Sequence, residues 1–197
     1  MTRLGGVVLA AGASVRAGGA KALATLDGET FVARAARVLR EAGCDEEIVV
    51  VGPPHGVRIA AALSGTRVAY NDAPERGMLS SLRTALEQPI AAAWDGAVIA
   101  LVDQPRVRAE TVRRLVEAFV ASGAELVRPR CAGRRGHPYV ISRAVFGPLC
   151  AAPDEHGARP VLAALPRAVD VDVVDPGVLE DLDRRADLLA AGAQLAR

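Results

Sequence analysis

Residues 9–21 read LAAGASVRAGGAK. The stretch closes a short apolar run, Gly6 to Ala10, that suits a strand buried on both faces of a parallel sheet. It then opens into a loop with glycines at 12, 18 and 19. Glycines let a backbone turn sharply and present N–H groups to oxygen atoms. Arg16 and Lys21 add positive charge. The chain has 24 basic side chains, and Lys21 is its only lysine. A lysine ammonium is compact and mobile, whereas a guanidinium is a planar fork. A lone lysine ending a glycine loop therefore points to a phosphate oxygen that shifts during a reaction.

Two familiar phosphate loops are excluded. Ala22 follows Lys21, so there is no G-x-x-x-x-G-K-[ST], and the step from Gly12 to Gly18 skips the middle glycine of G-x-G-x-x-G.

Outward from this loop, strand and helix alternate. Phe31 to Ala42 is predicted to be a helix, with Phe31, Ala35, Val38, Leu39 and Ala42 on one face and Gly43 as its stop. Strands are predicted at Glu47–Val51, Arg67–Tyr70 and Ala97–Val102. Helices are predicted at Val57–Leu63, Met78–Glu87 and Glu110–Ser122. Glu110 with Arg114, and Arg113 with Glu117, have the spacing of surface ion pairs. Strands at Tyr139–Ile141 and Val169–Val173 and a helix at Arg184–Leu195 close the chain. The pattern is that of a doubly wound, three-layer α/β fold with a mostly parallel sheet. It is read as a single domain over 1–197, with 128–175 as an acceptor-side insertion.

Composition narrows the function. The 197 residues carry a net charge of +1, so nothing draws the whole surface to nucleic acid or to an anionic membrane. Aromatic residues are 3%, too few for base-stacking platforms. No apolar run reaches the roughly 18 residues of a membrane span. The start, MTRLGGVVLAAGAS, is read as a buried strand rather than a secretion signal. Cys44, Cys131 and Cys150 lack metal-ligand spacing and fit a reducing, cytoplasmic setting.

In a parallel sheet, ligands bind beyond the carboxyl ends of the strands. Asp103, in LVDQP, follows the strand ending at Val102 and so falls on the same edge as the glycine loop. A carboxylate fixed there suits a hard cation such as Mg²⁺, which takes one or two carboxylates plus substrate phosphates. His55 and His156 have no partner at ligand spacing. Asp170, Asp172 and Asp175 are read as solvated.

LAAGASVRAGGAK resembles the LAAGxSxRxGxxK signature of the molybdenum cofactor nucleotidyltransferases, the MobA-like NTP transferases, and the cytidylyltransferase branch in particular. Further segments match in order: GMLSSLRTAL at 77–86, LVDQP at 101–105, GRRGHPYVIS at 133–142, DEHGAR at 154–159 and DLDRRADL at 181–188. The resemblance implies a nucleotide-diphospho-sugar transferase type of fold. It also implies transfer of CMP or GMP from an NTP to the phosphate of molybdopterin, with Mg²⁺ as cofactor. The AAG and DQP forms incline it to CTP. By the same resemblance Leu9, Ala10, Ala11, Gly12, Ser14, Gly18, Gly77 and Ser81 would bind the nucleotide. Arg16 and Lys21 would meet the phosphates, and with Asp103 form the catalytic set. Asp103 and Asp183 would hold the metal, with Asp181 in reserve. Gly136, His137, Pro138 and Arg159 would face the acceptor.

Two positions depart from the family pattern. Ala17 stands where methionine is usual, and Arg184 and Arg185 replace threonine and proline in the last segment. Two other functions remain open: an NAD(P)H-dependent reductase resembling nicotine blue oxidoreductase, and a non-catalytic carrier that delivers cofactor to a molybdoenzyme partner.

Overall fold

A computed structural model describes residues 2–195. The chain opens with β1 (Leu4–Leu9), a small hairpin of β2 (Thr25–Leu26) and β3 (Glu29–Thr30), and α1 (Phe31–Glu41). There follow β4 (Glu46–Val51), α2 (Gly56–Ala61), β5 (Arg67–Tyr70), α3 (Met78–Leu86), β6 (Gly96–Leu101) and α4 (Ala109–Ser122). The last part holds β7 (Leu126–Cys131), β8 (Arg134–Arg135), β9 (Tyr139–Ser142), α5 (Phe146–Ala151), α6 (Arg159–Ala163), β10 (Ala168–Asp172) and α7 (Arg185–Ala190).

One sheet runs in the order β10-β7-β9-β6-β1-β4-β5, with β8 paired to β7. β6, β1, β4 and β5 are parallel, and β9 is antiparallel to both of its neighbours. The sheet is therefore mixed but mostly parallel, and segment 126–172 supplies strands to it. β1 pairs with β4 on one side and β6 on the other. The chain winds outward from β1 to β5, then returns to lay β6 against β1. That reversal is a topological switch point, the place where open α/β sheets bind ligands.

Alternation along the strands builds the two outer layers. Val8, Val49, Val98, Val127 and Val140 face the helices α1 and α4, with Phe31, Leu39, Leu115 and Phe119. Val7, Ile48, Ile99, Leu126 and Ile141 face the α3 and α5 side, with Leu82, Trp94 and Leu149. α1 begins at Thr30, whose hydroxyl accepts from the Ala33 N–H at 3.3 Å.

Four expectations need correction. The last helix ends at Ala190 rather than Leu195. Gly192 takes a left-handed φ of 76°, the Ala193 N–H returns to the Leu188 carbonyl, and Gln194 bridges back to Thr25. β7 was not foreseen, because Arg128, Pro129 and Arg130 interrupt its apolar pattern. β9 pairs with β7 only at Leu126 and Val127, so Pro129 lies past the end of that ladder. The surface pairs expected on α4 do not form among the described residues. Instead Arg113 donates to the Glu41 carbonyl and Arg114 to the Asp172 carbonyl. Asp175, expected to be solvated, is 2% exposed and accepts from Thr111 Oγ1, Arg108 N and Gly177 N.

Candidate functional site

The β1/β6 register sets Leu9 beside Leu101, so the loops that leave these strands start side by side. One carries Ala10 to Lys21 and the other carries Asp103. Between them the C-terminal segment crosses in extended form. The Leu182 N–H donates to the Asp103 carbonyl at 2.8 Å, and the Leu182 side chain is buried. Its neighbours Asp181 and Asp183 therefore both reach the cleft that opens here.

The cleft has a volume of about 560 Å³. Its wall includes Leu9, Ala10, Ala11, Gly12, Ser14, Arg16, Lys21, Gly77, Ser81, Asp103, Asp181 and Asp183. The structure thus brings together most of the expected nucleotide, catalytic and metal residues. Gly18 is not on the wall. It ends the short turn Val15–Ala17 with a φ of 78°, and so shapes the loop from behind.

Lys21 is 9% exposed. Its Nζ lies 2.8 Å from Asp103 Oδ2 and 2.5 Å from Asp183 Oδ1. Arg16 Nη2 reaches the other Asp183 oxygen at 2.9 Å. Asp181 is held separately by Gln104 Nε2 at 2.9 Å. Burial acts to lower the Lys21 pKa, but the two carboxylates outweigh it and hold the ammonium above its ordinary value. Burial pushes Asp103 up. Lys21 opposes that shift, and the nearby Asp181 and Asp183 charges add to it. The hydrogen bond from Lys21 holds Asp183 below its ordinary value.

Three carboxylates here face one ammonium and one guanidinium, which leaves local room for a further positive charge. Asp103 Oδ1 is buried without a hydrogen-bond partner. That orphaned oxygen, with a second carboxylate close by, fits a hard cation that also takes phosphate oxygens. Among the described residues no three His, Cys, Asp or Glu side chains gather as a metal cluster, so such an ion would rely on substrate for its remaining ligands.

A second, larger cavity of about 970 Å³ shares Gly77 and Met78 with the first. Gly136, His137 and Arg159, residues that the resemblance sets on the acceptor side, line it together. Pro138 does not. It lies in a small apolar pocket with Val38, Pro105 and Val112, on the other side of the segment that leads into β9. A Cβ on Gly136 would stand 2.0 Å from the Val178 carbonyl oxygen, so only glycine allows this crossing. His137 packs against Tyr139 with ring centroids 5.1 Å apart, and burial lowers its pKa, favouring the neutral imidazole. Arg184 and Arg185, the departures from the family pattern, line neither cavity; they start α7, where the Arg184 N–H donates to Asp187 at 2.8 Å.

Several polar residues at the site gave no sequence signal. Asn71 donates to Ser80 and Ser81 at 2.9 Å each, fixing the serine that faces the cleft. Arg83 ties α3 to the loop at 152–154 through the Ala152 carbonyl and Asp154.

Comparison with known proteins bears on the family and the fold. The family model described as MobA-like NTP transferase domain matches residues 6–169. Nicotine blue oxidoreductase of Paenarthrobacter nicotinovorans is 36% identical over 188 residues, covering 90% of this chain and 91% of the relative. The crystal structure of Rv0371c from Mycobacterium tuberculosis is 34% identical, with a TM-score of 0.80 over 96% of this chain and 97% of that one. Rv0371c in complex with manganese superposes with a TM-score of 0.76 at 31% identity, over 96% and 98% of the two chains. A nucleotidyl transferase from Methanothermobacter thermautotroptrophicus is 25% identical, with a TM-score of 0.79 over 96% of each chain.

Proposed function

The chain belongs to the MobA-like NTP transferase domain family, and from that premise we propose that it transfers a nucleoside monophosphate from an NTP to the phosphate of a molybdopterin-type acceptor. CTP is favoured over GTP. The observation that carries this reading is the meeting of Lys21, Asp103 and Asp183 at the mouth of the glycine-loop cleft.

An oxygen of the acceptor phosphate attacks the α-phosphorus of the NTP. The bond from that phosphorus to the oxygen bridging to the β-phosphate breaks, and pyrophosphate leaves with the electron pair. The protein positions both phosphates in line and neutralises charge on the leaving oxygens. The loop Ala11–Gly12 faces the nucleotide, and a Cβ at Gly12 would meet no atom within 4 Å, so the backbone lies open there. Arg16 and Lys21 meet the leaving phosphates. Asp103 and Asp183 would hold Mg²⁺ or Mn²⁺, which supplies further neutralisation of the triphosphate; the manganese complex of Rv0371c supports a divalent ion here. Gly136, His137 and Arg159 face the acceptor.

The test is pyrophosphate release with Mg²⁺, molybdopterin and each of CTP, GTP and ATP, paired with thermal shift. Release with CTP supports the reading; no release with any NTP overturns it. The 36% identity to nicotine blue oxidoreductase favours a second reading, an NAD(P)H-dependent reductase. Stabilisation by NADPH and by no NTP would select it. A cofactor carrier would bind CTP without turnover.

A further inference from the structure

The nucleotide cleft and the larger cavity meet at one place. Among the described residues only Gly77 and Met78 line both. Gly77 has no side chain, so Met78 supplies the one side chain on that ridge. The backbone beneath it is fixed. The Gly77 carbonyl accepts from Ser80 N at 3.1 Å and from Ser80 Oγ at 2.8 Å. Gly77 turns through φ 101° and ψ 175°, a conformation nearly confined to glycine, and α3 starts at once with Met78. The residues that follow, Leu79 to Leu82, are buried, whereas Met78 is 55% exposed. One exposed apolar side chain is ordinary on a protein surface. This one stands instead at the joint of two cavities, where the α-phosphorus of a nucleotide and an acceptor must come together for transfer to occur. No aromatic ring lines the first cleft among the described residues, so an entering base finds no ring to stack on. A thioether is the softest group there: it is polarizable, it turns about three bonds, and it makes favourable contacts with aromatic rings.

We propose that Met78 is a specificity-determining residue that touches both substrates: its thioether lies against the nucleoside on one side of the ridge and against the ring system of the acceptor on the other. The assignment rests on the nucleotidyl-transfer reading for the acceptor, while the contact with the nucleotide stands apart from it. Covering a half-exposed methionine with a ligand favours binding by about tenfold. Alanine at this position is too short to reach either substrate, whereas leucine has nearly the volume of methionine and keeps both contacts.

The chain has two methionines, Met1 and Met78, so labelling the full chain with methyl-¹³C methionine gives a signal for Met78 that Met78→Leu removes and thereby assigns. With Mg²⁺ present, CTP is expected to give nuclear Overhauser contacts between the Met78 methyl and the nucleoside protons. Molybdopterin alone is expected to shift the same methyl signal. Steady-state pyrophosphate release is the second measurement. Met78→Ala should raise KM for CTP and for molybdopterin by about tenfold each, with kcat changed far less, and Met78→Leu should recover most of both. Met78 is exposed, so neither variant should move the melting curve. CTP that stabilises the protein but makes no contact with the methyl group overturns the proposal and leaves the transfer reading intact. So does a KM that rises for one substrate alone. Contacts from NADPH, with none from any NTP, would keep Met78 at the nucleotide and overturn the transfer reading.

Discussion

The Lys21 ammonium sits between Asp103 and Asp183, 2.8 Å from one carboxylate and 2.5 Å from the other, although 162 residues separate Lys21 from Asp183. A cation is already lodged where two carboxylates would grip a metal. The opposing charges are partly buried, so they screen poorly and each holds the others in place. Guanidinium would not fit the same gap: it is broader and flat, and cannot point one compact charge at two separate oxygens. Lys21→Arg is therefore expected to lower kcat for nucleotidyl transfer by about 100-fold or more, with the fold retained. Pyrophosphate release and circular dichroism on the same sample decide it, and wild-type turnover in the variant would remove Lys21 from the mechanism.

Removing the ammonium should expose the metal preference of the carboxylates. In Lys21→Ala the two side chains repel, and the partly solvated pair should cost about 1–3 kcal/mol of stability. Mg²⁺ or Mn²⁺ is then expected to raise the melting temperature more in this variant than in the wild type. Equal shifts in the two proteins would mean that the ion does not bind between these carboxylates.

The choice between Asp181 and Asp183 follows from their partners. Gln104 holds Asp181 apart by one oxygen, whereas Asp183, whose two oxygens meet Lys21 and Arg16, shares the Lys21 ammonium with Asp103 and so stands beside it. Asp103→Asn and Asp183→Asn should each abolish the Mn²⁺ thermal shift and reduce turnover by about 100-fold or more. Asp181→Asn should retain the Mn²⁺ shift. The reverse pattern would move the second ligand to Asp181.

The three shifted groups also fix a pH profile. Lys21 is raised above 10.5, so its contribution is complete below that value and is lost as pH climbs through the higher folded pKa. Asp183 is lowered from 3.8, so its contribution is present above that value and is lost as pH falls through the lower folded pKa. Asp103 has the opposite sign. Burial raises it above 3.8, so its ionised form costs stability, and acid relieves that cost. The stability difference between wild type and Lys21→Ala should be level at neutral pH, and should shrink below the carboxylate range and above 10.5. Urea unfolding across pH measures it. A difference that changes steadily through neutral pH would contradict the assignment.

What could be read from the sequence depended on how local its cause was. The glycine loop and Asp103 each announced themselves, because a turn and a strand end leave short-range signals, whereas the DLD segment was marked only by its resemblance to the family. Their convergence was not legible. It comes from the β1/β6 register and from one backbone hydrogen bond, Leu182 to Asp103, between distant segments. Pro138 was misplaced for a related reason. A motif marks His137 and Pro138 together, but the two line different cavities just before β9 begins, and nothing in the motif says which way each side chain turns. Of the arginines of the larger cavity only Arg159 was marked; Arg128 and Arg135 were invisible because their partner is set across strands, as in the pairing of Arg128 with Asp170 on β7 and β10.

Asp175 supports the site from behind. It is buried, and it receives hydrogen bonds from Thr111 Oγ1 at 2.6 Å, Arg108 N at 3.0 Å and Gly177 N at 3.1 Å. These bonds join the start of α4 to the segment that leads to Asp181 and Asp183. Asp175→Ala leaves three donors without their acceptor and should cost about 3 kcal/mol. Thr111→Val removes one donor and should cost about 1 kcal/mol. Chemical denaturation checks both, and a cost below 0.5 kcal/mol for Asp175→Ala, roughly the level of an ordinary surface change, would show that the network is not holding α4.

The only tryptophan gives the sharpest packing test. Trp94 is fully buried, and a Cβ on Gly5 in β1 would stand 2.1 Å from its ring. Trp94 Nε1 also donates to Glu46 Oε2 at 3.3 Å, which limits how far the ring can retreat. The backbone of β1 therefore lies against the indole face, and β1 is the strand that delivers the glycine loop to the cleft. Gly5→Ala should destabilise by about 3 kcal/mol, at the upper end for overpacking, and red-shift the tryptophan emission as the ring is displaced. Gly5→Ala/Trp94→Leu should recover part of the loss relative to the two single changes added together, because the smaller side chain makes room for the methyl group. Denaturation followed by circular dichroism reads all three variants on one scale. Additive losses would mean that the methyl group finds its clash elsewhere, and that the indole does not set the position of β1.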